Sequence, residues 1–538
     1  MRRLFFLPVL AIALSCSSLP SVVLGWTSPS SSSSSSPVSS PTISHNSFHP
    51  ATTNRIANNR RTTATTTTTT ADPRCVSSRL LLSATIAGGD VLRLEEDSIA
   101  QHETERKDGD ETTIPVSSLL SHSFEELAEH LGGTGRAKAC WDCLRMGIDP
   151  VWYYGKQHNQ EDEECMEQTG SPLLRGWSRK QVEERLAATS TRGSPTKLGE
   201  KTLGLLEQVG GEKVEKDVCK LTQISVSPDG TTKLLLQLVS DGLEVETVII
   251  PWEDRGKSTL CVSSQVGCRQ GCTFCSTGRM GKLRSLSTVE ILAQMYWANK
   301  IYRLSLSEEE STNNNSSSSK KLYPIDNCVF MGMGEPADNA PAVVKAATMM
   351  ADINLFRLAP RKITISTVAP NPGVFQELAE APAVLAWSVH SSRDEIRRQL
   401  VPTTKHSMEE LRDGLMETLR GRTKRLRNTM LEITLLDEIN DSPEDAKHLA
   451  DFCRSFYEGP AAIKGIKLTV NLIPWNDISA SFGPASGYRQ PKMERVRAYQ
   501  KILGENGVLC YVRTTRGDEE NAACGMLSTK KRQRKGDK

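Results

Sequence analysis

Three cysteines set out the chemistry this chain can do. Cys268, Cys272 and Cys275 lie in the run G-C-R-Q-G-C-T-F-C-S-T-G, separated by three residues and then by two. Thiolates this close on a glycine-flanked loop can converge on one inorganic centre, and soft sulfur donors select zinc or iron–sulfur. A closed structural zinc site takes four ligands, commonly from two C-x2-C pairs, and no fourth partner stands beside this group. Three ligands on a cubane would leave one iron open to a small chelating molecule. Phe274, between Cys272 and Cys275, would shield such a centre from water. The chain has 14 cysteines, four of them between Cys261 and Cys275. That grouping in a long chain is not the pattern of a disulfide-stapled domain. Cys140 and Cys143 form a C-x2-C with no second pair and read as incidental. Cys328, Cys453 and Cys510 fall in apolar runs and read as core.

The elements that must position this loop follow from the pattern around it. From Ser258 onward short strand-like runs alternate with helical segments. The expected strands are Thr259–Ser263, Asn327–Met331, Lys362–Ser366, Val384–Val389, Thr429–Leu435 and Ile466–Ile473. Six such units predict an α/β fold, an open six-stranded (βα)6 partial barrel that places chemistry at the C-terminal ends of its strands. The thiol loop follows the first strand directly. Ahead of it, Gln223–Val226, Lys233–Val239 and Leu243–Ile250, joined by two D-G turns, predict a short β meander. Earlier still, helical spacing begins with the capping-box pattern of Ser123 and Glu126 and runs to about Val209, which predicts a small helical domain.

The predicted organisation is a leader over 1–75, an acidic linker over 76–116, a helical accessory domain over 117–213, a meander adaptor over 214–255, a catalytic domain over 256–527 and a basic tail over 528–538. The leader opens with Arg2-Arg3 and an 11-residue apolar stretch, Leu4 to Leu14. It continues as a serine- and threonine-rich segment, and the whole stretch up to Cys75 has six arginines and one acid. A signal peptide feeding a transit peptide predicts organelle import, to a plastid ahead of a mitochondrion, with a cytoplasmic chain as the alternative. Ser305 to Lys321 reads as a surface insertion. No apolar run approaches the ~18 residues of a membrane span, so no membrane association is expected. With 66 Lys+Arg against 64 Asp+Glu, bulk charge does not announce a nucleic-acid binder, and any RNA contact must use local patches. Arg420, Arg422, Lys424, Arg425 and Arg427 form one candidate patch.

At the thiol loop the sequence resembles the radical S-adenosylmethionine superfamily. The resemblance narrows through T-L-C-V-S-S-Q-V-G-C (Thr259 to Cys268), M-G-M-G-E-P (Met331 to Pro336), Ser388-Val389-His390, N-L-I-P-W-N (Asn471 to Asn476), and R-T-T-R-G-D followed by A-A-C-G (Arg513 to Gly525). Together and in this order these are similar to the dual-specificity RNA methyltransferases, over roughly residues 118 to 527. The resemblance implies one [4Fe–4S] cluster on Cys268, Cys272 and Cys275, and two molecules of S-adenosylmethionine per turnover. It implies methylation of adenosine C2 in 23S ribosomal RNA, transfer RNA or both. Cys524 would carry an S-methyl group, a 5′-deoxyadenosyl radical would activate it, Cys261 would release the product by forming a disulfide, and Glu246 would accept the C2 proton. Glu244 would share the strand face of Glu246. Gly334 and Glu335 match the loop holding the cofactor's ammonium. Ser366, Ser388, Val389, His390 and Asn476 match contacts to its ribose, adenine and carboxylate.

A one-electron donor such as ferredoxin or flavodoxin, an RNA substrate and a monomeric chain complete the implied set. Because C2 lies inside a stacked helix, the target base must be exposed or flipped out, at a cost on the order of a few kcal/mol. Two rival readings use the same scaffold: methylation at adenosine C8, and a non-catalytic RNA-binding or ribosome-assembly protein.

Overall fold

The computed structural model describes residues 118–154, 179–189, 198–210, 214–307, 322–478, 487–517 and 520–527. The leader, the acidic linker, the basic tail and most of the Ser305–Lys321 insertion lie outside the described residues, as does the expected helical break at Asn159–Glu164.

Among the described residues, twelve strands form two sheets. β1 (Cys219–Val226), β2 (Thr232–Leu238), β3 (Glu244–Trp252) and β4 (Lys257–Cys261) pair antiparallel in sequence order. From β4 the same sheet continues in parallel through β7 (Ile325–Phe330), β8 (Ile363–Thr367), β9 (Val384–Ser388), β10 (Asn428–Leu435), β11 (Lys467–Pro474) and β12 (Cys510–Val512). β5 (Gln265–Gly267) and β6 (Lys282–Ser285) make a separate antiparallel pair. The fold is thus the expected α/β partial barrel, each of its six expected strands lying within two residues of the observed bounds. Two features go beyond the expectation. The short β12 adds a seventh parallel strand at the edge, which leaves Cys510 half-buried there rather than in the core. The meander is not a detached adaptor, because β3 is hydrogen-bonded to β4 along five residue pairs.

Helices cover the parallel strands as crossovers require: Thr288–Ser307, Ala340–Ala351, Val374–Leu378, Met408–Gly421, Pro443–Arg454 and Met493–Glu505. Ser407/Glu410 and Ser442/Asp445 close reciprocal capping boxes at two of their starts. The central strands are runs of Ile, Leu, Val and Ala buried on both faces, as expected under helices. Before the sheet, helices span Phe124–His130, Thr134–Leu144, Pro150–Tyr154, Arg179–Thr189, Glu200–Gly210 and Val214–Asp217. The capping box of Ser123 and Glu126 is present. Cys140 and Cys143 are fully buried in the second of these helices.

Candidate active site

The thiol loop leaves β4 through the β5–β6 hairpin. Gly267 sits at φ +76° with a hypothetical Cβ 1.9 Å from the Gly281 carbonyl oxygen, so only glycine lets the hairpin close there. The Cys268 N–H donates to that carbonyl at 3.1 Å. Phe274 is buried, its carbonyl accepts from Trp475 Nε1 at 3.0 Å, and its ring meets His390 edge-on at 4.6 Å. All three thiols line one cavity of about 970 Å³, its open mouth included. Burial is the first cause raising each thiol's pKa. A positive inorganic centre would reverse that cost. A cubane takes its thiolates on separate irons, and three soft donors along one wall suit that donor set. Among the described residues no three His, Cys, Asp or Glu side chains converge on a single ion position.

Most of the rest of this cavity comes from the C-terminal ends of β7 to β11, together with Cys524, Gly525 and Leu527. Gly334, at φ +102°, lets the loop pass against Gln265, whose side chain accepts from the Glu335 N–H at 3.0 Å. The buried Glu335 carboxylate accepts from the N–H groups of Ala337 and Val368, each at 3.0 Å. Burial nevertheless pushes its pKa up to about 7, against these bonds. A buried carboxyl in this state suits an incoming ammonium. Ser366 Oγ lies 3.1 Å from Ser388 Oγ and donates to Glu432 Oε2 at 3.0 Å. His390 is held at φ +58°, and its Nδ1 accepts from the Thr434 N–H at 3.3 Å, which puts the neutral ring's proton on Nε2. Burial, then the charge of Arg397, pulls its pKa down to about 3. Ser366, Ser388, His390, Asn476, Gly334 and Glu335 all line the cavity. Val389 is not among its lining residues. The Val389 side chain is fully buried in the main core, and its carbonyl accepts from Arg397.

A second cavity, about 600 Å³ with its opening, adjoins the first and shares Met331, Ile473, Asn476, Cys524 and Leu527 with it. Cys261, at the end of β4, and Cys524 both line it. The segment carrying Cys524 is fastened by its backbone: Ser276 N donates to Gly525 O at 2.8 Å, Thr277 Oγ1 to Leu527 O at 2.7 Å, and Asn476 Nδ2 to Cys524 O at 3.0 Å. Burial, then the neighbouring Cys524, raises the Cys261 thiol to about 12, with Arg513 opposing. Cys524 is solvent-exposed as a residue, yet enough protein surrounds its sulfur that desolvation raises its pKa too, again opposed by Arg513. Glu246 is buried on the β3 face that carries Val248 and Ile250 but does not line this cavity. Its carboxylate pairs with Lys233 Nζ at 3.1 Å, and that ammonium also donates to Asn521 O at 3.3 Å. Glu246 is therefore tied to the Cys524 segment through Lys233. Glu244 is buried as well.

Sequence reasoning passed over several residues that the structure brings here. Arg397 is fully buried and donates to the carbonyls of Ser388, Val389 and Val368, tying two strand ends together. Nothing in its local sequence marks this role. Glu432, a lone acid within the apolar run L-E-I-T-L-L, was a readable signal. Arg513 opens a motif already singled out; burial works against its charge, but Cys524, Glu432 and Cys261 together outweigh it and raise its pKa. In the basic run, Arg422 is buried and donates to Ala381 O and Ala383 O, while Arg427 bonds back to Leu419, Arg420 and Arg422 carbonyls. Lys424 and Arg425 remain exposed.

The partial barrel and the thiol loop at its strand ends define a radical S-adenosylmethionine methyltransferase. The structure is similar to a radical SAM methyltransferase from Sphaerobacter thermophilus, with TM-score 0.54 and 26% identity over 76% of this chain and 98% of that one. It is 36% identical over 311 residues to the dual-specificity RNA methyltransferase RlmN of Alcanivorax borkumensis, a match spanning 57% of this chain and 73% of the relative. The chain belongs to the RlmN family of RNA methyltransferases. No protein-family model matches it.

Proposed function

We propose that this chain methylates C2 of an unpaired adenosine in ribosomal RNA, transfer RNA or both. The observation that carries the reading is the place of Cys524: it lines both cavities, with the cluster-type thiols and Glu335 in one and Cys261 in the other. A residue that must receive a carbon on one side and deliver it on the other needs this position. C2 of adenine is electron-poor and offers no lone pair, so polar methyl transfer to it fails. A [4Fe–4S] cluster on Cys268, Cys272 and Cys275, with S-adenosylmethionine bound, would supply the one-electron chemistry and the methyl group. Gly334 and Glu335 would hold the cofactor's ammonium, and Ser366, Ser388, His390 and Asn476 would surround the remainder. Cys524 Sγ carries the transferred carbon. After the C2 proton has left, the Cys261 thiolate bonds to Cys524 Sγ as the sulfur–carbon bond breaks; the electron pair of that bond leaves with the carbon, which takes up a proton and becomes the methyl group of the freed base. Glu246, or a group acting through its Lys233 pair, takes the C2 proton. A buried Cys261 thiol is protonated at neutral pH, so Arg513 serves to favour its thiolate.

The test is anaerobic reconstitution with iron and sulfide, followed by assay on unmodified RNA. Mass spectrometry and reverse-transcription footprinting are expected to find 2-methyladenosine; 8-methyladenosine, or no methylated RNA, overturns the reading. We also propose a plastid address for residues 1–75. A fluorescent fusion of that segment is expected in plastids, and cytosolic retention overturns it.

A further inference from the structure

Trp252 has no part in the chemistry above. It ends β3 and lines the second cavity together with Arg516, Cys261 and Cys524. Its indole Nε1 donates to Thr259 Oγ1 at 3.0 Å, which holds the ring against β4. The Arg516 guanidinium lies over the ring, 4.6 Å from its centroid. Arg516 is itself held by a bond to Pro251 O at 3.4 Å and by Asp229 at 4.0 Å, while its buried Nε has no hydrogen-bond partner among the described residues. Val248 and Ile250 continue the cavity's apolar lining along the same strand face. With the Arg516 guanidinium over the indole and Arg255 Cζ also 5.9 Å from its centroid, the ring is the centre of a cationic aromatic platform. Unpaired bases are held on aromatic rings and on guanidinium planes, because every base has a π-face. A phosphate would use the charge of Arg516 without needing a flat indole behind it.

We propose that the Trp252–Arg516 stack is the platform on which the unpaired target base rests, so that these two side chains position the base against Cys524. The inference rests on the reading that the substrate is an RNA base. Losing the stack is expected to lower kcat/KM for a short RNA hairpin in W252A by roughly 5- to 150-fold, the range that base stacking spans. W252F is expected to recover to within about threefold, because a phenyl ring restores the plane. R516K is expected to fall as far as R516A, since lysine keeps the charge and loses the plane.

A second readout is independent of turnover. Hairpin RNA carrying 2-aminopurine at the target position is quenched when the base stacks, so at saturating protein the wild-type complex is expected to be dim and the W252A complex at least about twofold brighter. Activity of W252A within twofold of wild type overturns the proposal. So does R516K matching wild type, which would make Arg516 a phosphate anchor, and so does unchanged quenching in W252A. If the wild-type protein itself methylates no RNA, the functional reading fails instead, and the two failures are told apart by that control.

Discussion

The cavity under the thiol loop is walled by the ends of five neighbouring parallel strands. The one beside it is closed by Arg513 to Arg516 and by Ala522, Ala523, Cys524 and Leu527, from much later in the chain. In the first, polar side chains are buried and bonded to one another or to backbone: Glu335 to two N–H groups, Ser366 to Glu432, Arg397 to three carbonyls. Their shifted pKa values follow from burial, with Glu335 raised to about 7 and Arg397 lowered to about 10. In the second, the reactive segment is held through its backbone, which leaves the Cys524 side chain at the cavity wall. A preorganised polar site suits a cofactor that must be bound in one pose every turnover. An exposed thiol on a fastened segment suits a group that must reach a large substrate and be reset. The difference separates cofactor binding from delivery.

The sharpest way to break that separation is to remove the delivering thiol. Cys524→Ala is expected to abolish RNA methylation, by ~10³-fold or more as for loss of an activated nucleophile. The cluster absorbance of the reconstituted protein should persist, because Cys524 is not one of the three ligand thiols. Cys261→Ala should leave enzyme and RNA joined, seen as a slow band on a denaturing gel that also carries the RNA. Normal product from the first variant would remove Cys524 from the reaction; absence of any adduct from the second would remove Cys261 from release.

The first cavity is probed by pH. The Glu335 carboxyl has its pKa raised by burial from 4.5 to about 7, so the folded chain keeps a proton that the unfolded chain gives up. The stability this contributes is full below about pH 4.5 and is lost as pH rises through about 7. Without cofactor, urea unfolding of the wild type relative to Glu335→Gln should therefore lose on the order of 3 kcal/mol between pH 5 and 8. Added S-adenosylmethionine, whose ammonium would neutralise the carboxylate, should reduce that loss in the wild type and not in the variant. Parallel pH profiles for the two proteins would mean that Glu335 does not hold the buried charge.

The strands were readable because β7 to β11 are buried on both faces, and burial on both faces writes an apolar run into the sequence. The thiol loop was readable because its ligands are close in the chain. β12 was not, since three half-buried residues at a sheet edge carry no pattern. Nor was Arg397, whose role exists only once the strand-end carbonyls of Val368, Ser388 and Val389 are brought around it. The basic run from Arg420 to Arg427 could be sorted into inward and outward charges only by the structure, for the same reason. Charge density alone suggests a phosphate surface, but tertiary packing turns Arg422 inward onto the Ala381 and Ala383 carbonyls. Arg420, Lys424 and Arg425 stay exposed as candidates for that surface.

Asn476 gives the finest test, because it belongs to both sides. Its Nδ2 donates to the Cys524 carbonyl at 3.0 Å, its Oδ1 accepts from Thr515 Oγ1 at 3.0 Å, and it lines both cavities. An amide that gives one N–H and its oxygen to the delivering segment acts on the cofactor side by closing that wall. Asn476→Ala removes two hydrogen bonds, worth about 1 kcal/mol each. The expected result is a fall of about 5- to 30-fold in kcat/KM, from a Cys524 segment that samples wrong positions. Asn476→Asp keeps the acceptor and loses the donor to Cys524 O, so it should retain Thr515 and still lose most of the activity. If instead the Asp variant is near wild type and S-adenosylmethionine affinity alone falls in the Ala variant, Asn476 serves the cofactor directly, and the boundary between the two cavities lies beyond it.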